Sequence, residues 1–241
     1  MLQRVLAVGL VAGLVAGLAV AVLQHFTTTP LILAAEVYEV EAEQQAGGLL
    51  MPANIILAHG GHGAGAAASG GEAGFDAGRT LLTGLATIVT AIGFALVVLA
   101  AMIAAGGRID ERRALGFAFA AFLAAGLAPA LGLAPELPGS AAAPLMARQV
   151  WWLATAALTA GGLWLFVRHG APWVRVLALA MITAPHVAGA PHPAAYESRV
   201  PAELAAQFAA TSLAVQAVLW LLTGFLVGIV WQHLARRAGE A

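Results

Sequence analysis

The chain of 241 residues has no cysteine and no lysine, and only 10% of it is charged. Without cysteine it can form no disulfide, thiolate metal site, iron–sulfur cluster or Cys nucleophile. Without lysine it can form no Schiff base and has no P-loop lysine. All eleven basic residues are arginine. The shortage of charge excludes two broad classes. A soluble domain carries roughly 25% charged residues, and this chain has too few to cover a surface in water. A disordered chain needs low hydrophobicity and high net charge, whereas here 61% is hydrophobic and the net charge is −1. That balance also gives no sign of a nucleic-acid partner. What remains is an all-α, polytopic integral membrane helical bundle, with residues 1–241 as one membrane domain.

A membrane-crossing helix needs about 20 apolar residues. Val5 to Gln24, Leu81 to Ala105, Ala114 to Ala134, Val150 to Val167 and Phe208 to Trp231 qualify as such runs. Trp173 to Ala190 is weaker, because Arg175 lies near its start and Pro185-His186 near its end. Counting it gives six spans; omitting it gives five. Arginine placement favours six with a cytoplasmic N-terminus. Arg4, Arg108, Arg112, Arg113, Arg168, Arg175, Arg236 and Arg237 then fall inside, and Arg79, Arg148 and Arg199 outside, as the positive-inside rule requires. The first run also resembles a signal peptide, with Arg4 ahead of it and Ala19-Val20-Ala21 as a cleavage-like site. Its length, and Gly9, Gly13 and Gly17 spaced four apart on one helix face, favour a retained membrane helix.

Residues 26–79 form the one long connection, on the outer side. Glu36, Glu39 and Glu43 share a face if it is helical, and Glu39, Glu41 and Glu43 if it is extended. Clustered carboxylates are costly unless a cation binds or water screens them. A solvated acidic connector is the plain alternative. Farther on, His59-Gly-Gly-His62 precedes an Ala/Gly/Ser tract that reads as a flexible linker. Neutral imidazole is the commonest metal ligand, and the glycines allow both rings to turn to one ion. Two histidines are still an incomplete site. His25 ends the first span. His186 and His192 lie in Ala184-Pro185-His186-Val-Ala-Gly-Ala-Pro191-His192-Pro193, where proline breaks the helix. Transporters place substrate sites at such broken helices, although a simple helix end would give the same pattern. Five of the seven histidines fall outside, with only His169 and His233 inside. Nitrogen and oxygen ligands suit borderline divalent ions, with Met51 as a weak thioether option.

Several stretches taken together resemble one family. They are the Gly-rich first span with Pro30-Leu-Ile-Leu-Ala-Ala-Glu36-Val-Tyr38-Glu39, then Leu115-Gly-Phe-Ala-Phe-Ala-Ala-Phe, Gly126-Leu-Ala-Pro129, and Pro135-Glu136-Leu-Pro138-Gly139. Arg148-Gln149-Val-Trp151-Trp152, Pro185-His186, Ala190-Pro191-His192-Pro193, Val200-Pro201-Ala-Glu203-Leu and Trp220 follow. The chain thereby resembles CbtA, the membrane subunit of a predicted cobalt transporter. The resemblance covers almost the whole chain and implies cobalt transport for cobalamin synthesis. It also implies a small one-span partner, CbtB, with a metal-binding His motif. The spans it implies number five rather than six. Pro129 is expected to kink the third span, and Pro201 and Glu203 to open the last helix.

The resulting expectation is the non-enzymatic membrane subunit of a divalent-metal uptake system, cobalt above all, in the inner (cytoplasmic) membrane. Glu36, Glu39, His59 and His62 would gather the ion outside, and His186 and His192, with His25, would form the pore entrance. Cobalt(II) is then cargo, with no prosthetic group. The partners are the lipid bilayer, the CbtB-like subunit and the metal ion, and self-association is left open. Two rivals stand beside this reading. One is a membrane redox protein in which His25 and His186 ligate haem; the other is a scaffold with incidental histidines. No P-loop, His-Glu-x-x-His or Gly-x-Ser-x-Gly is present.

Overall fold

The computed structural model describes residues 1–47 and 77–237, with the backbone alone for residues 40–47. The described residues are helical with no strand. The helices are α1 (Leu2–Phe26), α2 (Thr28–Gly47), α3 (Ala77–Ala105), α4 (Glu111–Phe122), a π-helix (Leu123–Leu127) running into the short α5 (Ala128–Ala130), α6 (Leu145–Arg168), α7 (Pro172–Ala188) and α8 (Ala202–Arg237).

Five of these are long and apolar enough to cross a membrane: α1, α3, the continuous stretch Glu111–Ala130, α6 and α8. The sixth expected span, Trp173 to Ala190, is the 17-residue α7, short of the usual length. Pro172 fixes its start, and Gly189, at φ +85°, fixes its end. Even so, α7 runs antiparallel to α6 and returns the chain to the end it left. Gly162 of α6 meets the Ala178 carbonyl and Ile182, while Trp151, near the start of α6, meets Pro185 near the end of α7. The helices therefore alternate between two ends. One end carries Arg4, Arg108, Arg112, Arg113, Arg168, Arg175, Arg236 and Arg237 and is termed the arginine-rich end. The opposite end carries α2, the segment after α5 and the segment before α8.

Without water to drive helices together, membrane helices associate by close backbone packing, which small residues permit. Gly9, Gly13 and Gly17 line α1 against Leu96, Ile92 and Ile88 of α3. Gly224 and Gly228 set α8 against Ala118, Ala114 and Glu111 of α4. These contacts enclose one core among α1, α3, α4 and α8, formed by Val8, Ala12, Ala95, Leu99, Met102, Ala118, Phe122, Trp220 and Val227. Phe94 stacks on Trp220 with ring centroids 3.8 Å apart and planes 7° from parallel. The α6–α7 pair is attached to this core through the π-helix and α5.

The π-helix lies just before the proline that was expected to bend the third span. Pro129 has no N–H and its ring crowds the preceding turn. The chain widens ahead of it, and the Ala128 N–H reaches back to the Leu123 carbonyl. Widened turns of this kind are frequent at functional sites. Tight packing surrounds it, since a Cβ on Gly126 would lie 2.9 Å from Gln216 Oε1 of α8.

Candidate metal-entrance face

The acidic stretch from Glu36 to Glu43, which fits either helix or extended chain by its spacing, is helical and belongs to α2. Thr27 donates to the Leu23 carbonyl at 2.7 Å, closing α1 with a turn. Pro30 sits in the first turn of α2, where its missing N–H costs nothing. The protein-facing side of α2 carries Ala35, which packs with Leu137 and Val200. The Arg199 N–H donates to the Gly139 carbonyl at 3.3 Å. So α2 and the segments before α6 and α8 build one cap at the end opposite the arginines.

Glu36 and Glu39 both stand on α2 within this cap. Glu36 is held by Arg79 of α3 in a two-pronged pair, with Nη1 donating to Oε2 at 2.9 Å and Nη2 to Oε1. Glu39 lies over Gly139, whose φ of +77° is a conformation that side chains rarely adopt; a Cβ there would sit 3.3 Å from Glu39 Cγ. A third carboxylate of the cap, Glu136, pairs with Arg148 at 2.7 Å. Neither ion pair had been anticipated. The cue lies in the outer arginines, which stand on a side of the chain otherwise rich in acids, and two of the three form these pairs.

His25 lines a cavity of about 530 Å³ between α1, α2 and α3, together with Gln24, Thr29, Arg79, Thr80 and Thr83. Below it, Thr87 donates to Gln24 Oε1 at 2.7 Å. His186 sits on the last turn of α7, edge-on to Trp151 with centroids 5.9 Å apart. The Trp151 indole N–H donates to the Pro185 carbonyl at 3.2 Å, and Gly132 lets the same ring come close to the segment after α5. Trp151 is therefore the side chain that fixes the position of His186. His192 is exposed on the segment before α8. His59, His62 and Met51 lie outside the described residues.

All five described candidates thus lie at one end, but they do not form one cage. Among the described residues no three His, Asp or Glu side chains gather around a common point. His25 and His186 belong to helices that share no substantial packing. The arrangement suits stepwise handling of an ion by few ligands at a time. A conducting path has that property, since each site must bind weakly enough to release.

Comparison with known proteins gives one match. No curated protein and no solved structure matches the chain. The profile of a probable cobalt transporter subunit, CbtA, matches residues 2–232. A match over nearly the full length makes this all-helical, multi-pass chain a member of the CbtA family of probable cobalt transporter subunits.

Proposed function

We propose that this subunit takes up cobalt(II) from outside the inner membrane, with its arginine-rich end in the cytoplasm, for cobalamin synthesis. The observation that carries the reading is the placement of His25, Glu36, Glu39, His186 and His192 at the end opposite the arginines. The positive-inside rule makes that end external. Carboxylates on α2, with His59 and His62, gather the hydrated ion. His186 and His192 then exchange water for imidazole at the mouth of the bundle, and His25 stands at the same end on α1. The partner is a small single-span subunit of the CbtB type, which completes the ligand set that this chain leaves open.

The test is uptake of radiolabelled cobalt by cells expressing the chain with that partner. The double variant His186→Ala/His192→Ala should cut uptake to near background while the protein level in the membrane is unchanged. Uptake equal to that of the wild type would remove both residues from the entrance.

Arg79 bears on the same process. Its pair with Glu36 is about four-tenths exposed, and pairs of that kind are worth roughly 0.5–1 kcal/mol. Arg79→Gln releases Glu36 for the ion. The cobalt concentration for half-maximal uptake should then fall by about 2- to 5-fold, the equivalent of that energy. An unchanged or higher value would mean that Glu36 does not gather metal.

A further inference from the structure

The arginine-rich end holds a cavity of about 700 Å³ that the transport reading does not use. Three separate segments converge on it. Arg4 comes from the first turn of α1, Arg108 from the α3–α4 connection and Arg236 from the end of α8. Among the described residues no Asp or Glu lines it. The nearest acid in sequence, Asp110, is engaged elsewhere: its side chain caps α4 by accepting the Arg113 N–H at 2.9 Å. The Arg4 guanidinium lies over the Trp231 ring, 4.6 Å from its centroid, and donates to the Trp231 carbonyl at 3.4 Å. α1 has no side-chain N-cap, so its first-turn N–H groups add partial positive charge. Gly106 and Gly107, at φ +69° and +86°, give the cavity a wall without side chains.

Three guanidiniums, with no lining carboxylate among the described residues, repel a divalent cation from this cavity. Its chemistry is that of an anion site. Arginine forks match phosphate geometry by paired N–H donors, and basic pockets between membrane helices at the cytoplasmic side take lipid head groups. Trp231 is an interfacial residue by type. Arg4 lies against its ring. We propose that the cavity formed by Arg4, Arg108, Arg236 and Trp231 binds a phosphate group, supplied by an anionic phospholipid of the surrounding leaflet.

The experiment uses the full chain in detergent, with phosphatidylglycerol, phosphatidylcholine and inorganic phosphate as probes. Bound lipid is counted by native mass spectrometry, and the melting temperature is followed in parallel. The wild type should retain phosphatidylglycerol over phosphatidylcholine. Arg108→Gln/Arg236→Gln should weaken that retention on the order of 30-fold, taking each arginine at the membrane-surface value. Arg108→Lys/Arg236→Lys keeps the charge and should keep most of the binding, which separates loss of the site from loss of the fold. If millimolar inorganic phosphate alone raises the melting temperature as much as the lipid does, and fails to do so in the Gln variant, the phosphate comes from solution. Equal retention of the two lipids by the wild type, or unchanged phosphatidylglycerol retention by the Gln variant, overturns the site.

Discussion

Gly13→Leu should unfold or disperse the bundle, whereas Gly93→Leu in the facing helix should leave it intact. A Cβ at Gly13 would run into the backbone N and Cα of Ile92. Backbone cannot swing aside as a flexible side chain does, so α1 and α3 must separate along their length. Ordinary overpacking costs about 1–3 kcal/mol. A clash with backbone in the closest helix pair should reach or exceed the top of that range. Gly93 has nothing within 4 Å of its Cβ position. Leucine there faces lipid and gains about 1 kcal/mol of helix propensity. Both variants can be followed by size-exclusion homogeneity and thermal unfolding in one detergent. Equal behaviour of the two would show that the spaced glycines of α1 are incidental to the packing.

Trp220→Ala should be the most damaging side-chain truncation. Trp220 is 3% exposed and lies stacked on Phe94 within the four-helix core. Removing a buried Trp costs about 3–5 kcal/mol through lost contacts and the cavity left behind. That cavity lies in the core and not at the lipid rim, so acyl chains cannot refill it without parting helices. Trp220→Phe should cost less than about 1.5 kcal/mol, because the aromatic stack survives. It also removes an indole N–H that is buried and has no partner among the described residues, a group expensive to leave unmade. Thermal unfolding of both variants checks this. Similar losses for Phe and Ala would assign the stabilisation to the indole itself rather than to the stack.

Much of this was legible in the residues. The five strong spans follow from apolar length, because a bilayer imposes one length on every helix. The alternation of ends follows from the arginines. Gly9, Gly13 and Gly17 read as a close-packing face, and they form one. The ends of helices were less exact. The third span stops at Ala130 rather than Ala134, since Pro129 exhausts the ladder before the apolar run ends. The π-helix was foreshadowed by that same proline but not by any residue within it. The candidate ligands were legible by type and side of the membrane. Their separation was not, because it depends on Trp151 seating His186 against α6 and on Arg79 reaching Glu36 across 43 positions of sequence. No local pattern encodes contacts of that kind.

The helices differ widely in length, and the bilayer must respond. α8 has 36 residues and α7 has 17, or about 54 Å and 26 Å at 1.5 Å per residue. The hydrocarbon layer is about 30 Å thick. α8 is longer than that layer by roughly 24 Å, while α7 falls roughly 4 Å short. A span that is too short draws the surrounding lipid inward at a cost of fractions of a kcal/mol per ångström. Wherever α7 crosses a bilayer, the lipid along its side of the bundle would thin, at the end that carries His186 as well. On the entrance role proposed for His186, the acyl-chain length of the host membrane would then tune how steep the ion's crossing is.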